Sequence, residues 1–91
     1  AASKGALEAF SKNIAREWGI KSVRSNVVSP GFMSTQMSAK LTAQQREKIY
    51  ARTSLKAETS ADSVAETVAF LLSEKAKSIT GQTICVDAGT I

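Results

Sequence analysis

Val23-Arg24-Ser25-Asn26-Val27-Val28-Ser29-Pro30-Gly31-Phe32-Met33-Ser34-Thr35 is the stretch that decides how this chain folds. The β-branched residues Val23, Val27 and Val28 favour a pleated, half-buried conformation, and Pro30-Gly31 ends it abruptly. A strand over Lys21 to Ser29, closed by a turn, is the reading that follows. In an open parallel sheet, ligands gather outside the carboxyl ends of the strands, so any chemistry belongs at this turn. Gly31 has no side chain to hold a flat ring away from the backbone. A peptide group at Phe32 or Met33 is then within reach of an amide-bearing ligand, with the Thr35 hydroxyl beside it.

Upstream, Leu7, Phe10, Ile14 and Trp18 recur at spacings of three or four and predict one amphipathic helix from Ala1 to Trp18, with Gly19 as its C-cap. Ala1, Ala2, Ser3, Gly5 and Ala6 crowd its first turns around Lys4, and residues so small let a backbone or a ligand come close. Arg24, near the start of the strand, is expected in a salt bridge or in solvent. Asn26 is expected on a sheet face or bonded to a neighbouring turn.

Downstream, Ser38 to Lys56 is polar and weakly periodic. Thr42 and Gln45 form a capping box before a short helix that carries Ile49 and Tyr50. So few apolar anchors predict a mobile segment. Ser60 reads as an N-cap, with Asp62 in the first turn of a helix that runs through Leu72. Its apolar stripe is Ala61, Val64, Ala65, Val68, Leu71 and Leu72. Ile79-Thr80-Gly81-Gln82 then turns the chain into a second strand, Thr83 to Val86. Strand, crossover helix and strand make a βαβ unit, parallel and right-handed.

Composition bounds the function. Ninety-one residues make one small domain or part of a larger one, and 43% hydrophobic with 22% charged residues describes an ordinary globular chain. The net charge of +4 comes from twelve basic residues scattered singly from Lys4 to Lys77, with one Trp, one Tyr and three Phe. That is a solvated surface, not a stacking platform for nucleic acid, and no nucleic-acid partner is expected. Cys85 is the only cysteine, so no internal disulfide forms, and its I-C-V setting predicts a small buried apolar residue. With no histidine there is no Ser-His-Asp device, and no metal site is expected. No apolar stretch reaches membrane-spanning length, so no membrane partner is expected and a cytoplasmic location follows by default.

Taken together, Ser3-Lys4, the Val23 to Thr35 segment, and Thr80-Gly81-Gln82 through Asp87-Ala88-Gly89, with a helix between each and the next, resemble the C-terminal part of a short-chain dehydrogenase/reductase. The nearest branch is the 3-oxoacyl-[acyl carrier protein] reductases of fatty acid biosynthesis. The resemblance covers nearly the whole chain in the family's order. It implies an α/β fold, the C-terminal part of a Rossmann-type doubly wound parallel sheet, here as a fragment of a single NAD(P)-binding domain. It also implies hydride transfer between NADP or NAD and a carbonyl or alcohol, with a small-molecule or carrier-protein-bound substrate.

The family's Tyr-x-x-x-Lys motif places Lys4 as its lysine, and the tyrosine falls one residue before Ala1. Four residues apart on a helix, phenol and ammonium share a face; the positive charge favours the phenolate, and the same lysine bonds the nicotinamide ribose. By the same resemblance, Pro30, Gly31, Met33 and Thr35 bind the cofactor, with the Met33 backbone on the nicotinamide carboxamide. Phe32, Met37, Leu41 and Tyr50 belong to a lid over the substrate that excludes water on closing. Tyr50 has no lysine four residues after it and does not replace the missing tyrosine.

The glycine-rich fingerprint and the rest of the active site are expected upstream, so the 91 residues alone should be inactive and should pair with that missing N-terminal part. Exposed sheet edges seek partners, and the family forms tetramers or dimers through its first helix, last long helix and final strand. The family's usual Asp-Gly-Gly is Asp87-Ala88-Gly89 here, and alanine at that place argues against a left-handed backbone. The competing reading is a non-catalytic binding or oligomerisation module of the same fold.

Overall fold

A computed structural model describes residues 2–33 and 40–90. In chain order, α1 is Ala2–Trp18, β1 is Val27–Pro30, α2 is Ala43–Ala51, α3 is Ala61–Leu72 and β2 is Thr83–Val86, with short 3-10 turns at Gly19–Lys21 and Glu74–Ala76. β1 and β2 form a two-stranded sheet. Val27 N–H donates to Gln82 O at 2.8 Å and Gly31 N–H to Val86 O at 2.9 Å. Both partners advance by four residues, so the strands are parallel. The expected α/β architecture of helix, strand, helices and strand is therefore present. Among the described residues no helix is long and apolar enough to cross a membrane.

The chain divides into two compact units, Ala1–Val28 with Val68–Ile84 and Ser29–Thr67 with Cys85–Ile91. In the first, α1 buries Ser11 and Ala15 and leaves Leu7, Phe10 and Trp18 between 50% and 63% exposed. The apolar stripe exists, but the packed side of the helix is the small-residue one. Close approach explains this: Ser11 Oγ lies 2.8 Å from Ser25 Oγ, and the Ala15 methyl would stand 3.6 Å from any Cβ on Gly81. Larger side chains have no room there.

Three local expectations need correction in this unit. The left-handed residue after α1 is Ser22, with φ +61°, not Gly19, because the chain first makes the 3-10 turn whose end donates Ser22 N–H to Gly19 O. β1 starts at Val27 and not Lys21, since the backbone before it bonds the Thr80-Gly81 turn: Ser25 N–H donates to Thr80 Oγ1, and Ser25 O accepts from Gly81 N–H. Arg24, half-buried, donates from its guanidinium to the Leu71 carbonyl, a backbone partner rather than the carboxylate or open solvent expected. α3 has no basic residue in its last turn, so Arg24 supplies the cation that its carbonyl end attracts. Asn26 bonds the turn as expected, Nδ2 donating to Ile79 O and Oδ1 accepting from Gln82 N–H, each at 3.0 Å.

In the second unit, Thr42 and Gln45 form the predicted capping box and Ser60 Oγ caps α3 through Ser63 N–H. Residues 53–55 run beside the chain after β2, with Ser54 N–H on Gly89 O, Leu55 N–H on Ala88 O and an antiparallel bridge between Thr53 and Thr90. Cys85 is exposed rather than buried. It projects from a four-residue strand on the side that bears no cover among the described residues.

Candidate functional site

The turn at the carboxyl end of β1 is fixed from both sides of Gly31. Its N–H is held by Val86 O, and one residue on, Phe32 O accepts from Thr59 N–H at 2.8 Å. A Cβ placed on Gly31 would lie 2.7 Å from Asp87 Cα, and 2.8 Å from both Asp87 Cβ and Thr59 Oγ1. The close approach that makes glycine necessary here is thus made by the chain itself, with Asp87 and buried Thr59 filling the space. Thr59 Oγ1 has no hydrogen-bond partner among the described residues.

Phe32 projects from this fixed turn to α2. Its ring centroid is 6.1 Å from that of Tyr50 at an interplanar angle of 58°, a tilted aromatic pair. The Arg46 guanidinium sits 6.0 Å from the Phe32 centroid. Arg46 and Tyr50 are four apart and share one face of α2, so a single helix face addresses the ring. Thr53, buried just after the helix, donates its hydroxyl to Tyr50 O and accepts from Ala57 N–H, which fixes the exit from α2.

The next support is the turn after β2. Asp87 Oδ1 accepts from Gly89 N–H at 2.9 Å and Thr90 N–H at 3.3 Å. The Gly89 amide first, then the Thr90 amide, hold the Asp87 carboxyl below the usual carboxylate range, against a small opposing effect of burial. Ala88, between them, has φ +60°. The expectation from its side chain was the reverse; three hydrogen-bonded turn residues around it outweigh the cost of a left-handed alanine.

Of the residues singled out in the sequence, Pro30, Gly31, Phe32, Met33, Leu41 and Tyr50 lie in the second unit, and Phe32 and Tyr50 touch. Pro30 is exposed, and Leu41 and Tyr50 are half-buried. Lys4 lies in the first unit, exposed on the first turns of α1. Thr35 and Met37 fall outside the described residues. Arg46, Thr59 and Asp87 were not foreseen as neighbours of the turn, although the Arg46 to Tyr50 spacing would have put both on one face. A cavity of about 560 Å³ lies elsewhere, in the first unit between Ser25, Asn26 and Val28 and the Val68 to Leu72 end of α3. Its one charged side chain, Arg24, is already bonded to Leu71, so hollow volume here is a poorer guide to chemistry than the pinned turn.

A family model described as enoyl-(acyl carrier protein) reductase matches residues 1–90. The chain belongs to the short-chain dehydrogenase/reductase family. Relatives within the family include the 3-oxoacyl-[acyl-carrier-protein] reductases FabG of Salmonella typhimurium and of Escherichia coli K12, each 42% identical over 89 residues. Those matches cover 98% of this chain and 36% of the relative. Nodulation protein G of Rhizobium meliloti is 39% identical over 88 residues, covering 97% of this chain and 36% of that protein. The chain thus spans little more than a third of the length of the family members it matches.

Proposed function

We propose that this chain is the C-terminal part of a nicotinamide-dependent oxidoreductase that interconverts a carbonyl and an alcohol, with a 3-oxoacyl thioester, free or on a carrier protein, as substrate. The observation that supports it most is the doubly anchored Gly31-Phe32 turn, in a chain 42% identical over 89 residues to 3-oxoacyl-[acyl-carrier-protein] reductases. The family model's own description favours a second substrate, an enoyl thioester. Offering the full-length protein 3-oxoacyl and trans-2-enoyl thioesters side by side discriminates the two.

The donor set suits NADP or NAD. A carboxamide needs one donor and one acceptor from an ordered backbone, and a turn whose neighbouring groups are already bonded supplies that without any reorganisation. The cofactor, when bound, supplies the hydride. Pro30, Gly31, Met33 and Thr35 orient its ring end, and Lys4 holds the ribose and favours ionisation of the tyrosine that precedes it in the family motif. Phe32, Met37, Leu41 and Tyr50 cover the substrate and exclude water. The remaining active-site residues belong to an N-terminal part outside these 91 residues, without which the chain is inactive. A cytoplasmic location and a role in fatty acid biosynthesis belong to the same reading. Exposed Leu7, Phe10 and Trp18 on α1, with Phe70 and Leu72 on α3, support a homo-oligomer, tetramer or dimer.

The test is the full-length protein with Lys4→Ala, assayed with NADPH and an acetoacetyl thioester. A fall in kcat/KM of roughly 10²-fold or more is expected, the range for losing a positioned acid-base partner. Undiminished turnover would instead favour the non-catalytic module.

A further inference from the structure

The basic residues are scattered along the chain, but their surplus is not. Residues 40–56 hold Lys40, Arg46, Lys48, Arg52 and Lys56 against a single acid, Glu47, while the remainder of the chain carries seven basic and seven acidic residues and is neutral. The whole net charge of +4 therefore lies on α2 and its flanks, in the unit that holds the Gly31-Phe32 turn. α2 turns Arg46 and Tyr50 to the Phe32 ring. Lys48 and Arg52, each two residues further on, stand more than half a turn away around the helix, and both are exposed. Lys56 adds a third cation at the same end, its Nζ donating to Ala51 O at 2.7 Å. One cation at the carbonyl end steadies a helix, and Lys56 supplies it. Lys48 and Arg52, four apart and of like sign, only repel each other unless an anion lies between them.

We infer that Lys48 and Arg52, backed by Lys56, recognise the phosphate groups of the substrate's thiol carrier, the nucleoside phosphate and diphosphate end of an acyl coenzyme A thioester. This rests on the thioester reading above. A thioester whose acyl end reaches the turn leaves its polyanionic handle outside, and the end of α2 meets it with the charge of opposite sign. The cofactor's own phosphates belong, in the same reading, to the part upstream of residue 1, so they do not compete for these cations. Size favours a nucleotide over a carrier protein's acidic surface. α2 has nine residues and is about 14 Å long, whereas a specific protein interface needs about 800 Å² on each side.

The test compares two substrates with the same reacting end on the full-length protein, acetoacetyl coenzyme A and the phosphate-free acetoacetyl thioester of N-acetylcysteamine, with NADPH and NADH in parallel. Lys48→Gln with Arg52→Gln is expected to lower kcat/KM for the coenzyme A thioester roughly three- to ten-fold, the range for two exposed charge pairs. The phosphate-free thioester and the KM of the cofactor should change less than two-fold. Raising ionic strength from about 0.05 to about 0.5 M should erase the wild type's advantage on the coenzyme A thioester and leave the variant nearly flat. If the double variant does not fold, Arg52→Gln alone carries the same comparison at roughly two- to three-fold. Equal losses on both thioesters, which mere support of α2 would produce, overturn the inference, as does no loss on either. A loss confined to acetoacetyl on an acyl carrier protein overturns it in favour of a protein partner. A wild-type protein that reduces none of these thioesters overturns the reading on which it stands.

Discussion

Gly31 and Asp87 stand so close that the Asp87 Cα would lie only 2.7 Å from a methyl group on Gly31. Nothing flexible occupies that gap, since the nearest atom is main chain and the next belong to Asp87 Cβ and buried Thr59. Gly31→Ala should therefore push the two strand ends apart, costing about 1–3 kcal/mol. Urea denaturation of the full-length protein measures this, and an unchanged midpoint would show that the strand ends part without cost.

Ala88 and Gly89 should respond to exchange with opposite signs. Ala88 bears a methyl group at φ +60°, where a side chain costs about 1–2 kcal/mol, partly offset in glycine by the greater freedom of its unfolded chain. Ala88→Gly is thus expected to stabilise by about 0.5–1 kcal/mol. Gly89→Ala should destabilise by more than that, because Gly89 has φ +75° and an added Cβ would meet Ser54 Cβ and Oγ at 2.8 Å. Melting temperatures of the two variants that move in the same direction would contradict the described turn.

Asp87 makes part of the stability depend on pH. Its carboxyl titrates lower in the folded chain than its ordinary value of 3.8, so the unfolded chain takes up the proton first. The contribution is complete above that ordinary value and disappears as pH falls through the lower, folded one. Asp87→Asn keeps an oxygen acceptor and removes the charge. Its stability deficit against the wild type should be constant at neutral pH and shrink on acidification below 3.8, followed by denaturation midpoints across pH. A gap that widens in acid would reverse the sign argued here.

Asn26 satisfies both ends of the Ile79 to Gln82 turn with one amide. Asn26→Ala leaves a carbonyl and an N–H without that partner, a loss of about 1–3 kcal/mol, nearer the lower figure because Gln82 is exposed and water can reach it. Asn26→Asp retains the acceptor for Gln82 but turns an oxygen toward the Ile79 carbonyl, and should be no better than alanine. Guanidinium unfolding of both variants decides the matter, and an aspartate as stable as asparagine would refute the donor assignment.

Much of this fold was legible because its punctuation is chemical. Ser60 and Asp62 mark the start of α3, Thr42 and Gln45 that of α2, and Gly81 with Asp87 bracket β2; each signal acts through near neighbours. What the residues did not disclose depends on distant ones. Val23 has strand character, yet β1 waits until Val27 because Ser25 and Asn26 are engaged by a turn more than fifty residues away. Leu7, Phe10 and Trp18 form a face, but only Ser11 and Ala15 fit against Ser25 and Gly81. At the candidate site, Phe32 and Tyr50 could be proposed from resemblance, whereas Thr59 and Asp87 enter through packing that no spacing foretells.

The ties between Ser25 or Asn26 and residues Ile79 to Gln82 span 53 to 56 positions. A growing or refolding chain must close that long loop before any bond of the parallel pair can form, and the entropy lost is recovered only after closure. The helices between them can wind within microseconds and wait. Late pairing of the two strands is therefore expected, with faster separation when the Asn26 clasp is removed.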